Sequence, residues 1–198
     1  MQEWRSAYPG AGVRLVGTDE EADLVSEQVD FRLSYGSDVR RYSHFTDLFV
    51  DSVVPVCSPG FLAMHPVKSE ADILDYPLID IEWDLRHQPA PSWSDWARGA
   101  GLPPPGRAGE LAFSLSSAGI DAAAHDGGFA LGQIAMIADD VARGRLVVPI
   151  ERRIAMQAPY FLAWDRAVLD RPFGKEFRAF IVAAARRQAI LSAEQPVS

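Results

Sequence analysis

The sequence predicts an α/β fold, on three observations. Short β-branched or alternating runs recur along the chain with helical patterns between them. Most of these segments carry their own start or stop signal, a serine, a proline or a glycine. And 48% of the 198 residues are apolar, enough to bury a full core. Alternating strands and helices imply mostly parallel sheets covered by helices. In such sheets ligands sit beyond the carboxyl ends of strands, so the strand ends "SYG", "CSPG" and "FALGQ" are where a site is expected.

"WRSAYPG" reads as a helix stopped by Pro9 and Gly10, and Val13 to Val16 as a short buried strand. Thr18 followed by Glu21 is a capping-box pattern and predicts a helix through Leu24 and Val25 to about Gln28. Phe31, Leu33 and Tyr35 alternate with polar residues as one face of a strand, which Gly36 ends. After a polar stretch, "DSVVPVC" is a second β-branched run, and Ser58–Pro59 suits the cap and first position of a short helix. "YPLIDI" is the next strand. Ser92 with Asp95 caps a helix that carries Trp93, Trp96 and Ala97 and stops at Gly101, before the stiff turn "PPPG".

"ELAFS" is strand-like, and the serines after it begin a helix with a small face of Ala118, Ala122 and Ala123. "GGFALG" is a short strand, "IAMIADDVARG" a helix ended by Gly144, and "RLVVPI" and "PYFLAW" two more strands. The last helix, from about Pro172, sets Phe173, Phe177, Phe180, Ile181 and Ala184 on one face, with a frayed tail expected after Gln188.

Charge narrows the function classes. With 19 basic and 27 acidic side chains the net charge is −8, which repels phosphate backbones, and Arg152–Arg153 and Arg186–Arg187 are too small for a nucleic-acid footprint. No apolar run is long enough to cross a bilayer, so no membrane partner is expected. One cysteine makes no internal disulfide, and the N-terminus has no basic-then-apolar leader pattern; a cytoplasmic location is expected.

Eight landmarks in order carry a resemblance: "YPG-GVRL", "VDFRLSYG", "VVPVCSPGFL", "DYPLI", "WSDWARGAGL", "FSLSSAGIDAAAHDGGFALG", "DDVARGRLVVP" and "PYFLAW…PFGKEFRAFI". From Trp4 to Arg186 the chain resembles the effector-binding domain of LysR-type transcriptional regulators. The branch it most resembles contains the glycine-cleavage activator and the β-lactamase regulators. The resemblance implies two Rossmann-like subdomains of the type II periplasmic-binding-protein kind, joined by two crossover strands, "VVPVC" and "PYFLAW". It places one subdomain at residues 1–57 plus 161–198 and the other at 58–160, with a small-molecule effector in the cleft between them. It further implies a homodimer or tetramer, and DNA contact only through an N-terminal helix-turn-helix that is not recognisable in this sequence. The family's first strand and the pocket wall it carries are likewise expected to be missing, since the sequence starts at or just before the first helix. The alternative readings are a solute-binding protein of similar architecture and a small α/β enzyme.

The candidate effector contacts are Tyr35, Gly36, Ser58, Ser114, Ser116, Ser117, Gly132 and Tyr160. Backbone N–H groups at a helix start, with the hydroxyls of Ser114, Ser116 and Ser117, make a cradle for a carboxylate; simple capping is the competing reading. Tyr35 and Gly36 offer an aromatic wall and close backbone approach, or else packing and a turn. Cys57 precedes a helix start, but it ends a β-branched run and has no histidine near it, so a core role is expected rather than a nucleophile. His44, His65, His87 and His125 are scattered, and Asp121 with His125 lacks a third ligand, so no metal is expected. No phosphate-binding glycine loop and no nucleophile elbow is present, so neither a cofactor nor catalysis is expected. Asp139–Asp140 and Glu20–Glu21 read as solvated helix-start charges, and Trp93 and Trp96 as core or inter-subunit packing, with one of them facing the cleft as the alternative.

Overall fold

Among the described strands, the β-branched run after Asp51 is the most completely buried together with "FALGQ": every residue of β3 (Ser52–Val56) and of β6 (Phe129–Gln133) is buried. Continuous burial means both faces of their sheet are covered, and so neither strand alternates with polar residues. The computed structural model describes residues 1–17, 23–25, 27–36, 41–82, 91–106 and 111–193. It divides into two units, Met1–Phe49 with Ala158–Ala189, and Val50–Gln157 with Ile190–Ser198.

The second unit is a five-stranded sheet in the order β5 (Leu111–Phe113), β4 (Leu78–Ile81), β6, β3, β7 (Ile154–Ala155). β4 runs parallel to β5 and β6, whereas β3 is antiparallel to both β6 and β7. Successive residues feed opposite cores. Val53, Phe129 and Leu131 pack with Phe61, Ile73, Trp93 and Trp96, while Val54, Val56 and Ala130 pack with Ile79, Ile120, Ala123 and Ile137. The covering helices are α2 (Pro59–Met64), α3 (Glu70–Leu74), α4 (Trp93–Gly99), α5 (Ser116–Ala124) and α6 (Ile134–Ala142). Pro55 is tolerated inside this sheet for a reason of direction. Cys57 N–H donates to Val147 O on the edge facing β7, so residue 55 would point its N–H the same way, into the gap between the β7 pairing at Val53 and the Val147 bridge.

The first unit is a three-stranded antiparallel sheet in which β8 (Tyr160–Trp164) lies between β1 (Phe31–Tyr35) and β2 (His44–Phe49). Helix α1 (Gln2–Ala7) buries Trp4 against Phe177 and Phe180 of α7 (Gly174–Ala193), at ring distances of 4.9 and 5.5 Å. A 3₁₀ turn at Arg166–Asp170, capped by Asp165, precedes α7.

Several expectations are corrected. Val13 to Val16 forms no strand, and Leu15 and Val16 are 74% and 70% exposed, because an apolar run becomes a strand only where a partner accepts its ladder bonds. The Thr18–Glu21 box lies outside the described residues, and Leu24, Val25 and Gln28 sit in turns rather than in a helix. "RLVVPI" contributes one bridge, Val147 to Cys57; the ladder beside β3 is made by Ile154–Ala155. Among the described residues only two of the six strand pairings are parallel, so these sheets are not mostly parallel. The polar stretch holds β2, and α3 starts at a full Ser69–Asp72 capping box; neither was anticipated. The last helix does not fray after Gln188: it continues to Ala193, with Ser192 buried. Both tryptophans of α4 are core residues, each N–H donating 3.0 Å to a carbonyl, Trp93 to Ile79 and Trp96 to Arg152.

The Ser92–Asp95 box that starts α4 is formed in both directions. Ser92 Oγ accepts from Asp95 N at 3.1 Å, and Asp95 Oδ2 accepts from Ser92 N at 2.9 Å and from Ser92 Oγ at 2.6 Å. The Ser92 hydroxyl, then its backbone N–H, hold the Asp95 carboxyl below its usual value of 3.8. A carboxylate whose pKa is lowered on folding stabilises above the unfolded value, and that contribution disappears as the pH falls through the folded value. Ser92→Ala is therefore expected to cost about 1 kcal/mol at neutral pH. In urea titrations the difference from the parent should shrink once the pH drops below the usual carboxylate range. A difference independent of pH would refute the reciprocal box.

Candidate functional site

Strand direction sorts the candidate residues of the second unit. β4, β5 and β6 run parallel, so their carboxyl ends share one edge of the sheet, which carries Ser114, the start of α5, Gly132 and Gln133. β3 runs the other way, so its carboxyl end, with Cys57 and Ser58, lies at the opposite edge. "CSPG" and "FALGQ" are thus both strand ends, yet they do not meet.

At the first edge α5 begins at an unusual cap. Its N-cap is Leu115, which has no side-chain oxygen with which to cap the helix. Ser116 and Ser117 occupy the first two helical positions, with Ser114 and Ser117 exposed and Ser116 half-buried. This places hydroxyls and first-turn backbone N–H groups together at the positive end of a nine-residue helix, an arrangement suited to a carboxylate. Gly119 lets this helix approach β4: a Cβ there would lie 2.9 Å from Ile81.

Ser58 is committed differently. Its Oγ accepts from Phe61 N at 2.9 Å as the cap of α2 and donates in a short hydrogen bond to Asp126, and the residue is 3% exposed. Gly132 is held by packing, since a Cβ would fall 2.6 Å from Ile137 and 2.9 Å from Val56. Cys57, next to Ser58, is fully buried, and burial first, then the Asp126 carboxylate, push its thiol up to about 12. Native protein at pH 8 should therefore take up iodoacetamide at least about a hundredfold more slowly than urea-unfolded protein. Equal rates would revive a reactive cysteine.

In the first unit Tyr35, Gly36 and Tyr160 come together. Tyr35 and Tyr160 are directly opposed in the β1–β8 ladder with rings 5.5 Å apart. Gly36, at φ 115°, donates its N–H to Pro159 O at 3.2 Å and ends the strand in a conformation that favours glycine. A register shift between Asp47 and Phe49 places Phe49 opposite Tyr160, and the two rings stack at 5.3 Å. Phe49 was missed in the sequence because a bulge changes which face a residue takes without leaving a local mark.

The remaining candidates are accounted for locally. His125 Nδ1 lies 2.8 Å from Asp121 O, His65 packs between Phe61 and Tyr76, and His44 lies beside Trp164; His87 is outside the described residues. Asp139 pairs with Arg143 and Asp140 with Arg145. Among the described residues no three of His, Cys, Asp or Glu gather as a metal site, and no helix is long and apolar enough to cross a membrane.

Two units of strands and helices, an exposed serine-bearing helix start in one and an aromatic strand end in the other, fit a binding module, and the family model for the LysR substrate binding domain matches residues 1–186. The chain belongs to this family. It is 27% identical over 186 residues to the glycine cleavage system transcriptional activator of Escherichia coli, and 27% identical over 182 residues to the HTH-type transcriptional activator AmpR of Citrobacter koseri. These matches cover 93% and 92% of this chain but 59% and 60% of the relatives, so it spans about three-fifths of their length.

Among solved structures, the effector domain of AmpR from Pseudomonas aeruginosa superimposes with a TM-score of 0.74 at 22% identity, covering 96% of this chain and 88% of that one. The AmpR effector binding domain from Citrobacter freundii gives 0.74 at 21%, covering 94% and 89%. The LysR substrate-binding fold, of the type II periplasmic-binding-protein kind, is therefore that of this chain, and the relatives named are transcriptional regulators.

Proposed function

We propose that this chain is the effector-sensing and oligomerising part of a LysR-type transcriptional regulator, a cytoplasmic binding module without catalysis. The observation that carries the reading is the start of α5, where Ser116 and Ser117 open a helix whose N-cap, Leu115, has no side-chain oxygen. The second unit offers Ser114, Ser116 and Ser117 to the acidic end of a small metabolite; in the first unit Tyr35, Gly36 and Tyr160 form an aromatic strand end suited to an apolar group. Ser58 and Gly132 are instead engaged in capping α2 and in close packing against Ile137 of α6. The effector acts by a population shift, binding one arrangement of a homodimer or tetramer better than another, and DNA is contacted through a separate helix-turn-helix.

A thermal-shift screen against amino acids, small carboxylates, aromatic acids and cell-wall peptide fragments tests this reading, because a ligand of the native state raises the midpoint by mass action. One carboxylate-bearing class should give a saturable shift. Ser117→Ala should weaken that binding roughly tenfold or more, the scale of a lost hydrogen bond to a charged group. Ser58→Ala should lower the melting midpoint while leaving the ligand shift in place. No shift from any class, or a shift indifferent to Ser117→Ala and Ser116→Ala, would count against it. Light scattering at tens of micromolar should give a dimer mass or larger.

A further inference from the structure

Four of the five polar side chains that are buried among the described residues, Asp51, Ser52, Gln133 and Ser192, gather at one place. Asp51 is its centre and is fully buried. Its Oδ1 accepts from Ser52 N at 2.8 Å and from Ser192 Oγ at 2.7 Å, and its Oδ2 accepts from Ala135 N at 3.1 Å, in the first turn of α6. That helix has no side-chain cap of its own, so a residue 84 positions away supplies one. The Asp51 carbonyl accepts from Met156 N at 2.8 Å, and Met156 Sδ in turn lies 3.3 Å from Gln133 Nε2.

The position of these partners along the chain gives the cluster its meaning. The chain passes between the two units three times, at Phe49–Val50, Gln157–Ala158 and Ala189–Ile190. Asp51, Met156 and Ser192 each lie within three residues of one of those passages. One residue therefore ties all three, through its carboxylate to the end of α7 and through its carbonyl to the strand that returns. A buried carboxylate satisfied by three donors is a rigid element, because loosening any one partner leaves charge uncompensated away from water.

We propose that Asp51 is a clasp on the three passages, and that it sets how freely the two units move against each other. Removing a partner loosens all three passages together rather than one locally. This inference stands independently of what the chain binds, and its readout needs no ligand.

Spin labels at Lys175→Cys in the first unit and Asp121→Cys in the second, both exposed positions, report the distance between units; buried Cys57 does not label. Ser192→Ala removes one donor and keeps the carboxylate, and Asp51→Asn keeps the shape but sets an amide against a backbone donor. In either variant the distance distribution should broaden, and amide exchange at Ala135, Met156 and the last turn of α7 should rise together by about tenfold. Ser92→Ala, a lost cap of similar strength far from the passages, should leave the distribution as in the parent. If Asp51→Asn fails to fold, Ser192→Ala carries the test by itself. Faster exchange confined to the last turn of α7 with an unchanged distribution, or equal broadening in Ser92→Ala, would overturn the clasp.

Discussion

Trp96→Ala is expected to lower the stability of the second unit by about 3–5 kcal/mol, the range for an aromatic side chain removed from a packed core. Trp96 is fully buried and touches Trp93 edge-on at 5.7 Å, within the cluster that contains Phe61, Ile73, Phe129 and Leu131. The change leaves a cavity and also orphans the Arg152 carbonyl, which the indole N–H now satisfies. Arg152 is itself a junction, with its guanidinium on Glu70 at 2.6 Å and on Gly99 O at 3.1 Å, so the loss propagates to α3 and α4. Because a domain of this size is stable by only about 5–15 kcal/mol, the variant should unfold at much lower urea. Trp96→Phe restores most of the packing but not the hydrogen bond and should lose about half as much. A cost below about 1 kcal/mol would mean that this cluster is not the unit's core.

Gly128→Ala should cost about 3 kcal/mol or more, from two causes that act together. Gly128 has φ 140°, a conformation that side-chain-bearing residues rarely adopt, and a Cβ built there would lie 2.6 Å from Pro77 O. That carbonyl cannot move aside freely, since Phe129 N–H donates to it at 2.9 Å where β6 enters the sheet. Gly99→Ala is the contrasting case. It lies in α4 with nothing within 4 Å of the added carbon, so alanine should be neutral or stabilising by up to about 1 kcal/mol. Similar losses at both positions would show that helix propensity, rather than backbone conformation and close approach, governs these glycines; differential scanning calorimetry of the two variants separates the cases.

The elements legible in the sequence were those whose signals are local. The caps Ser58 and Ser92 and the stops Gly101 and Gly144 involve neighbours within four residues, and each forms as its spacing dictates; Phe31–Tyr35 is a strand as expected, but Leu33, expected on its apolar face, is 56% exposed. The failures share a physical cause as well. Val13 to Val16 and Arg145 to Ile150 have strand composition, but a strand is defined by its partner, and composition does not say whether one is there. β2 was hidden for the opposite reason: His44, Thr46 and Asp47 look polar, yet the central strand β8 pairs with them along its length.

The candidate site was legible in the same measure. The serine-bearing start of α5 and the strands that carry Tyr35 and Tyr160 lie in segments that the sequence marks, whereas the pairing of the two tyrosines is seen only in the fold; the resemblance to LysR-type effector domains rests on eight such segments in order. By itself, then, the sequence determined the family, the α/β class and the identity of most helices and strands, because caps, stops and hydrophobic period act between near neighbours. Only the tertiary structure decided that Ser58 and the α5 serines lie at opposite edges of one sheet, since that depends on β3 running against β6. It alone also brought Asp51 to Ala135 and Ser192, across 84 and 141 residues, because contacts at such separations are set by how the chain closes on itself and leave no pattern in the residues between.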